Sequence, residues 1–140
     1  MARAKRMPKQ LRSKFEPSEL QIHIAVVEHL KLRARRGVFW FHPANGNKRE
    51  KSEAAKLKAM GVIPGVPDLI IIKDGKTFGL ELKTMDGRPS IEQRDALRAM
   101  EFAGAYTAVT YGLDAALSVL TTWGILSDGK QSNEFEHYAS

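Results

Sequence analysis

Apolar residues recur along this chain at two spacings, and the switches between them mark its elements. Pro17-Ser18 followed by Gln21 predicts a helix start: Ser18 caps the first turn and Gln21 reaches back as the third helical residue. That helix is expected to run to about Arg35, with Leu20, Ile24, Val27 and Leu30 or Lys31 as its apolar stripe and Gly37 as its stop. Val38-Phe39-Trp40-Phe41 reads as a short buried strand, with Trp40 and Phe41 in the core. Residues 42–47 form a loop, and residues 50–60 a short polar helix closed by Gly61. Leu69-Ile70-Ile71-Ile72 is a continuous apolar run, expected at the centre of a sheet and covered on both faces. Asp74-Gly75 is the core of a hairpin turn. The returning strand, residues 77–83, points Phe78, Leu80 and Leu82 one way and Gly79, Glu81 and Lys83 the other. Ser90 and Gln93 repeat the capping spacing and open a helix to about Phe102, which Gly104 ends. A strand over 106–111 and a last helix, capped by Asp114 and running through Trp123, complete the order. This alternation predicts an α/β fold: a small sheet flanked by helices.

Composition narrows the class. A chain of 140 residues with 43% hydrophobic and 27% charged residues has the size and balance of one globular domain. With no cysteine, a disulfide framework, a thiolate zinc site and a cysteine nucleophile are excluded. No apolar run approaches the roughly 20 residues of a membrane span, and the basic N-terminus lacks the apolar stretch of a secretory signal. The expected setting is the cytoplasm, with no membrane partner.

Charge is unevenly placed. The net +6 resides in residues 1–15, where Arg3, Lys5, Arg6, Lys9, Arg12 and Lys14 meet no acid. Residues 31–58 add nine basic groups against Glu50 and Glu53, whereas residues 101–140 hold Lys130 against five acids. Such a distribution suits a polyanion partner, nucleic acid first, although a solubilising arm and an ordinary charged helix face account for it equally. The expected organisation is a basic flexible arm over 1–16, a folded domain over 17–126 and a polar tail over 127–140.

The candidate chemistry lies in the hairpin. Asp68 stands at the entrance of the most apolar strand, and Glu81 lies within its partner with Lys83 two residues on, on the same face. Counting outward from Asp74-Gly75 brings Asp68 beside Glu81 or its neighbours. Two carboxylates and a backbone carbonyl on a rigid sheet are hard oxygen ligands suited to Mg²⁺, and a lysine beside the ion orients or helps to deprotonate a water that attacks a phosphodiester. An acid-x-Lys triplet alone carries little weight, since the chain has three; the other two, Asp74-Gly75-Lys76 and Asp128-Gly129-Lys130, are Asp-Gly turns. Glu81-Leu82-Lys83 differs in lying mid-strand between apolar residues. A buried carboxylate needs a partner, and Lys83 serves equally as a structural ion pair.

These residues resemble a known family. Gly65-Val66-Pro67-Asp68-Leu69-Ile70, Glu81-Leu82-Lys83-Thr84, Gly87-Arg88 and the span from Ser90 to Gln93 are similar to the VRR-NUC branch of the PD-(D/E)xK nuclease superfamily. Asn45-Gly46-Asn47-Lys48-Arg49, the helix to Gly61, Gly104 with its following strand, and Trp123-Gly124 fit the same pattern, so the resemblance covers about residues 18–125. It implies a mixed central sheet flanked by helices, with a restriction-endonuclease-like core. It further implies that Asp68, Glu81 and the Leu82 carbonyl bind Mg²⁺ or Mn²⁺, that Lys83 handles the water, and that Gln93 supports the site or contacts phosphate. An acid from the first helix often joins such sites, and Glu19 is the candidate, with Gln21 and Glu28 behind it. Asn45, Lys48, Arg49 and Arg88 would contact DNA. Members of this branch cleave branched or flapped DNA, and stand-alone forms resemble Holliday-junction resolvases acting as homodimers; the short chain, with no helicase or ligase module, is expected in a bacterial or phage-infected cell.

Each supporting residue also has a plainer account. Gln93 is explained as the capping partner of Ser90, Glu19 is favoured in a first helical turn by the macrodipole, and Asn45, Lys48 and Arg49 fit a polar loop that grips phosphate without reading bases. His23 and His29 do not share a helix face, His42 lies in a loop and His137 in the tail, which argues against zinc. The leading expectation is a metal-dependent DNA endonuclease. Its alternatives are a non-catalytic nucleic-acid-binding module that kept the fold, and an RNA-directed protein.

Overall fold

The structure is a computed structural model, and it describes residues 16–44 and 51–128. Helix α1 spans Glu19–Arg33 and starts in a complete capping box: Gln21 N–H donates to Ser18 Oγ at 3.1 Å, and Ser18 N–H donates to Gln21 Oε1 at 2.8 Å. Strand β1 covers Phe39–Phe41, helix α2 Lys51–Ala59, strand β2 Leu69–Lys73 and strand β3 Lys76–Lys83. Helix α3 covers Ile91–Phe102, strand β4 Tyr106–Tyr111 and helix α4 Leu113–Thr122. The four strands lie in chain order, with β1–β2 and β2–β3 antiparallel and β3–β4 parallel. The mixed sheet flanked by helices is thus the α/β architecture the sequence predicts. The β2–β3 turn has Asp74 at φ 51° and Gly75 at φ 74°, the two positive values a two-residue hairpin needs, and it pairs Lys73 with Lys76. Helix α3 supplies the crossover that parallel neighbours require.

One face of the sheet carries the core. Leu69 and Ile71 of β2 and Phe78, Leu80 and Leu82 of β3 pack against Ile22, Val26 and Leu30 of α1 and Ala116 and Leu120 of α4, with Ile125 and Leu126 closing the cluster. The apolar seam of α1 therefore differs from the expected one. Residues 22, 26 and 30 face the sheet, while Leu20 and Ile24 are exposed and Val27 is half-buried. A helix that is apolar on several sides offers more than one stripe, and the sheet selects the one in line with Leu80 and Leu82.

The opposite face is covered unevenly. Gly79 lies under Met100 of α3, and the buried side chains of Glu81 and Lys83 share its side of β3. Toward β1 that face is open. The register pairs Phe39 with Ile72 and Phe41 with Ile70, and Phe39, Phe41 and Ile72 are exposed. Two expectations are corrected here. The run over 69–72 is central and fully covered on one face, but on the other Ile70 is half-buried and Ile72 exposed, and β1 is an edge strand in which Trp40 packs against the core while Phe41 does not. Helix α3 follows β3 and precedes β4, so it lies over those strands and leaves β1 and β2 uncovered on that side. The start of α4 also departs from expectation. Gly112 (φ 85°) occupies the cap position and its N–H donates to Lys83 O at 2.9 Å, which places Asp114 inside the first turn.

Candidate active site

The carboxylates meet at the open end of the β2–β3 hairpin. Leu69 pairs with Leu80, so Asp68, one residue earlier, comes opposite Glu81. The Asp68 side chain is fixed there by the backbone of the neighbouring strand, its Oδ2 accepting from Leu82 N–H at 2.8 Å. A residue's N–H and C=O leave an extended strand on the same side, so the Leu82 carbonyl is directed toward Asp68 as well. Glu19, the first residue of α1, reaches over the same end. Its carboxylate and those of Asp68 and Glu81 present oxygens all within 4.8 Å of one another.

Glu81 is the most constrained of the three. It is 1% exposed, and Gln93 Nε2 donates to its Oε1 at 2.8 Å. Gln93 Oε1 is meanwhile engaged in the capping box of α3, accepting from Ser90 N–H at 2.8 Å. One Gln93 side chain thus serves both the cap of α3 and the Glu81 carboxylate. Capping consumes the amide oxygen and so turns the amide nitrogen toward Glu81. The second oxygen, Glu81 Oε2, is buried without a hydrogen-bond partner. Burial, reinforced by the charge of Asp68, raises the Glu81 carboxyl to about 7 against the pull of Lys83. Lys83 Nζ lies 3.4 Å from Glu81 Oε1 and 3.6 Å from Glu19 Oε1, so its ammonium bridges the strand carboxylate and the helix carboxylate.

Two histidines that no histidine spacing within one element points to also join this centre. His23 lies one helical turn after Glu19 on α1, with Nδ1 3.9 Å from Asp68 Oδ1. His42 follows β1 and sits 2.6 Å from Asp68 O through its Nδ1. Their rings meet edge to face with centroids 4.5 Å apart. Burial and the neighbouring His42 lower the His23 pKa, opposed by Asp68 and Glu19. Comparing His23 with His29 along one helix could not find this pair, because His42 arrives from another element. The signals that would have found it are the i, i+4 spacing of Glu19 and His23 and the β1–β2 register, which carries the loop after Phe41 back toward Asp68.

Gly65 positions the site from outside. At φ +79° it lies so close to the start of α3 that a Cβ there would fall within 2.6 Å of backbone atoms of Glu92 and Gln93. The loop before Asp68 is thereby keyed to the helix turn that presents Gln93. Of the expected DNA contacts, Arg88 is exposed on the turn between β3 and α3. Asn45, Lys48 and Arg49 lie outside the described residues, as do residues 1–15 of the basic arm.

Among solved structures, a chain described as "VRR_NUC domain protein" superposes with a TM-score of 0.63 over 76% of this chain and 88% of that one, at 24% sequence identity. The fold is VRR-NUC-like. No protein-family model and no curated protein matches the sequence. Within this VRR-NUC-like fold, the three carboxylates offer the oxygen donors that a divalent cation takes. Among the described residues, no helix is long and apolar enough to cross a membrane.

Proposed function

We propose that this protein is a Mg²⁺- or Mn²⁺-dependent endonuclease that hydrolyses phosphodiester bonds in branched DNA, acting as a homodimer. The observation that carries the proposal is Glu81 Oε2. A carboxylate oxygen that is buried, unpartnered and grouped with two other carboxylates is an unstable arrangement for an apo protein and a suitable one for a cation ligand. Asp68, Glu81, Glu19 and the Leu82 carbonyl would hold the ion. When bound, a divalent cation supplies polarisation of a phosphoryl oxygen and a water acidic enough to attack at neutral pH.

The chain's own residues supply the rest. Leu82 N–H holds Asp68 in one rotamer, and Gln93 does the same for Glu81, so the ligand oxygens need little reorganisation on binding. The Lys83 ammonium, with carboxylates on two sides and three donors, has an N–H left to fix the oxygen of the attacking water. Arg88 on the adjacent turn, together with Asn45, Lys48, Arg49 and the basic arm, would grip the phosphate backbone and contribute most of the salt-dependent affinity.

The test is incubation with labelled junction, flap, duplex and single-stranded DNAs, and RNA counterparts, with Mg²⁺, with Mn²⁺ or with chelator. Cleavage should need the cation and favour branched DNA. Asp68→Asn and Glu81→Gln should abolish cutting while DNA affinity stays within a few-fold. Metal-dependent cutting by either variant overturns the site. If no substrate is cut, and removal of residues 1–15 abolishes DNA binding while Glu81→Gln leaves it intact, the protein is instead a binding module.

A further inference from the structure

We infer that His23, His42 and Asp68 form a second cation site, adjoining the carboxylate centre through the shared Asp68 and selective for a transition-metal divalent ion such as Zn²⁺ over Mg²⁺. One ligand atom from each of the three residues lies within 4.8 Å of the other two. Ligands about 2.1 Å from a common ion stand roughly 3–4 Å apart, so closure needs only a modest contraction. The three side chains come from the first turns of α1, the loop after β1 and the entrance of β2. They are thus held by separate elements of the scaffold.

Hydrogen bonding favours a metal-competent tautomer on His42. Its Nδ1 faces the Asp68 backbone oxygen at 2.6 Å. A carbonyl only accepts, so Nδ1 carries the proton and Nε2 is left with a free lone pair. A backbone carbonyl on the far nitrogen is the usual support of a metal-binding imidazole. Asp68 has an oxygen for each centre. Oδ2 is turned to Leu82 on β3, and Oδ1 is turned to His23.

Donor type separates the two sites. Glu19, Asp68 and Glu81 offer oxygen alone, which suits Mg²⁺. Two imidazoles with one carboxylate suit Zn²⁺, Mn²⁺, Co²⁺ or Ni²⁺, and Mg²⁺ competes poorly for them. Any part this second ion plays in hydrolysis rests on the nuclease proposal; its binding does not.

The experiment is a ZnCl₂ titration of the full, metal-free chain carrying ¹⁵N-labelled histidine, read from the ring nitrogens in the presence of excess Mg²⁺. The expected result is saturable shifts of His23 and His42 at one equivalent, with His29 and His137 unmoved until higher Zn²⁺. His42→Gln, at an exposed ring, and His23→Gln should each weaken Zn²⁺ binding at least about tenfold. Glu81→Gln, which removes no donor from the histidine site, should leave the shifts of both rings in place. Shifts confined to His29 and His137, or Zn²⁺ affinity unchanged in His42→Gln, would overturn the site. Because cleavage is not read, a protein inactive on every nucleic acid but binding Zn²⁺ on both rings supports this site and refutes only the nuclease proposal.

Discussion

Glu81→Gln should change how stability depends on pH, by an amount that follows from the burial of this carboxyl. In the metal-free protein the Glu81 pKa is raised from 4.5 to about 7, chiefly by burial and then by Asp68. Between those values the folded state holds a proton that the unfolded chain has released, so stability falls as pH rises. The stabilising contribution is complete below 4.5 and is lost by the time pH has passed about 7. At about 1.4 kcal/mol per pH unit the whole interval amounts to about 3 kcal/mol, most of it between pH 5 and 8. Glutamine keeps an oxygen for Gln93 Nε2 and cannot ionise, so the variant lacks this slope whatever the substitution costs overall. His23, whose pKa is lowered, contributes with the opposite sign, stability being lost as pH falls below its unfolded value. It does so in both proteins, and the difference between them isolates Glu81. Urea unfolding in chelator at pH 5 and pH 8, with wild type and variant side by side, makes the measurement. Saturating Mg²⁺ should flatten the wild-type slope, because the ion binds the ionised form and adds stability by mass action. Identical pH dependence in the two proteins would refute the raised carboxyl and, with it, the physical case for a cation at Glu81.

Gln93→Glu retains a capping oxygen for Ser90 and replaces the donor facing Glu81 with a second carboxylate. It should cost under about 1 kcal/mol at pH 5 and clearly more at pH 8 by the same urea assay. Gly65→Ala combines a positive φ with a backbone clash at Glu92 and Gln93, so unfolding free energy should fall by at least about 2 kcal/mol. Ile72→Thr, on the uncovered face beside Phe39, should cost about 1 kcal/mol or less in thermal unfolding; a loss as large as that of a core truncation would mean the face is covered in solution.

The elements that local chemistry dictates were legible in the chain. Ser18 with Gln21, Ser90 with Gln93, and Asp74-Gly75 each satisfy backbone groups within a few residues, so spacing alone places two helix starts and a turn. The Asp68–Glu81 adjacency is equally direct, because a two-residue turn fixes the register of every pair outward from it. What the chain did not reveal depends on coverage by distant elements. Leu20 and Ile24 are as apolar as Ile22 and Val26, and only the position of the sheet decides which pair is buried. Ile72 and Phe41 lie on a face that helix α3 leaves bare, a consequence of crossover geometry rather than of their own hydrophobicity. His42 enters the site because β1 pairs with β2, and no periodicity within one segment encodes that pairing.

The twin capping boxes have an electrostatic consequence. Both α1 and α3 begin at this centre, the first through Glu19 in its opening residue and the second through Gln93 in its opening turn. Each helix therefore brings the positive end of its dipole, roughly half an elementary charge, toward the acidic cluster. Three carboxylates count formally as three negatives, yet beside Lys83 and two such dipole ends the local potential is far milder. An anionic ligand thus meets a weaker repulsion at this centre than three bare carboxylates would exert, even before any counterion arrives.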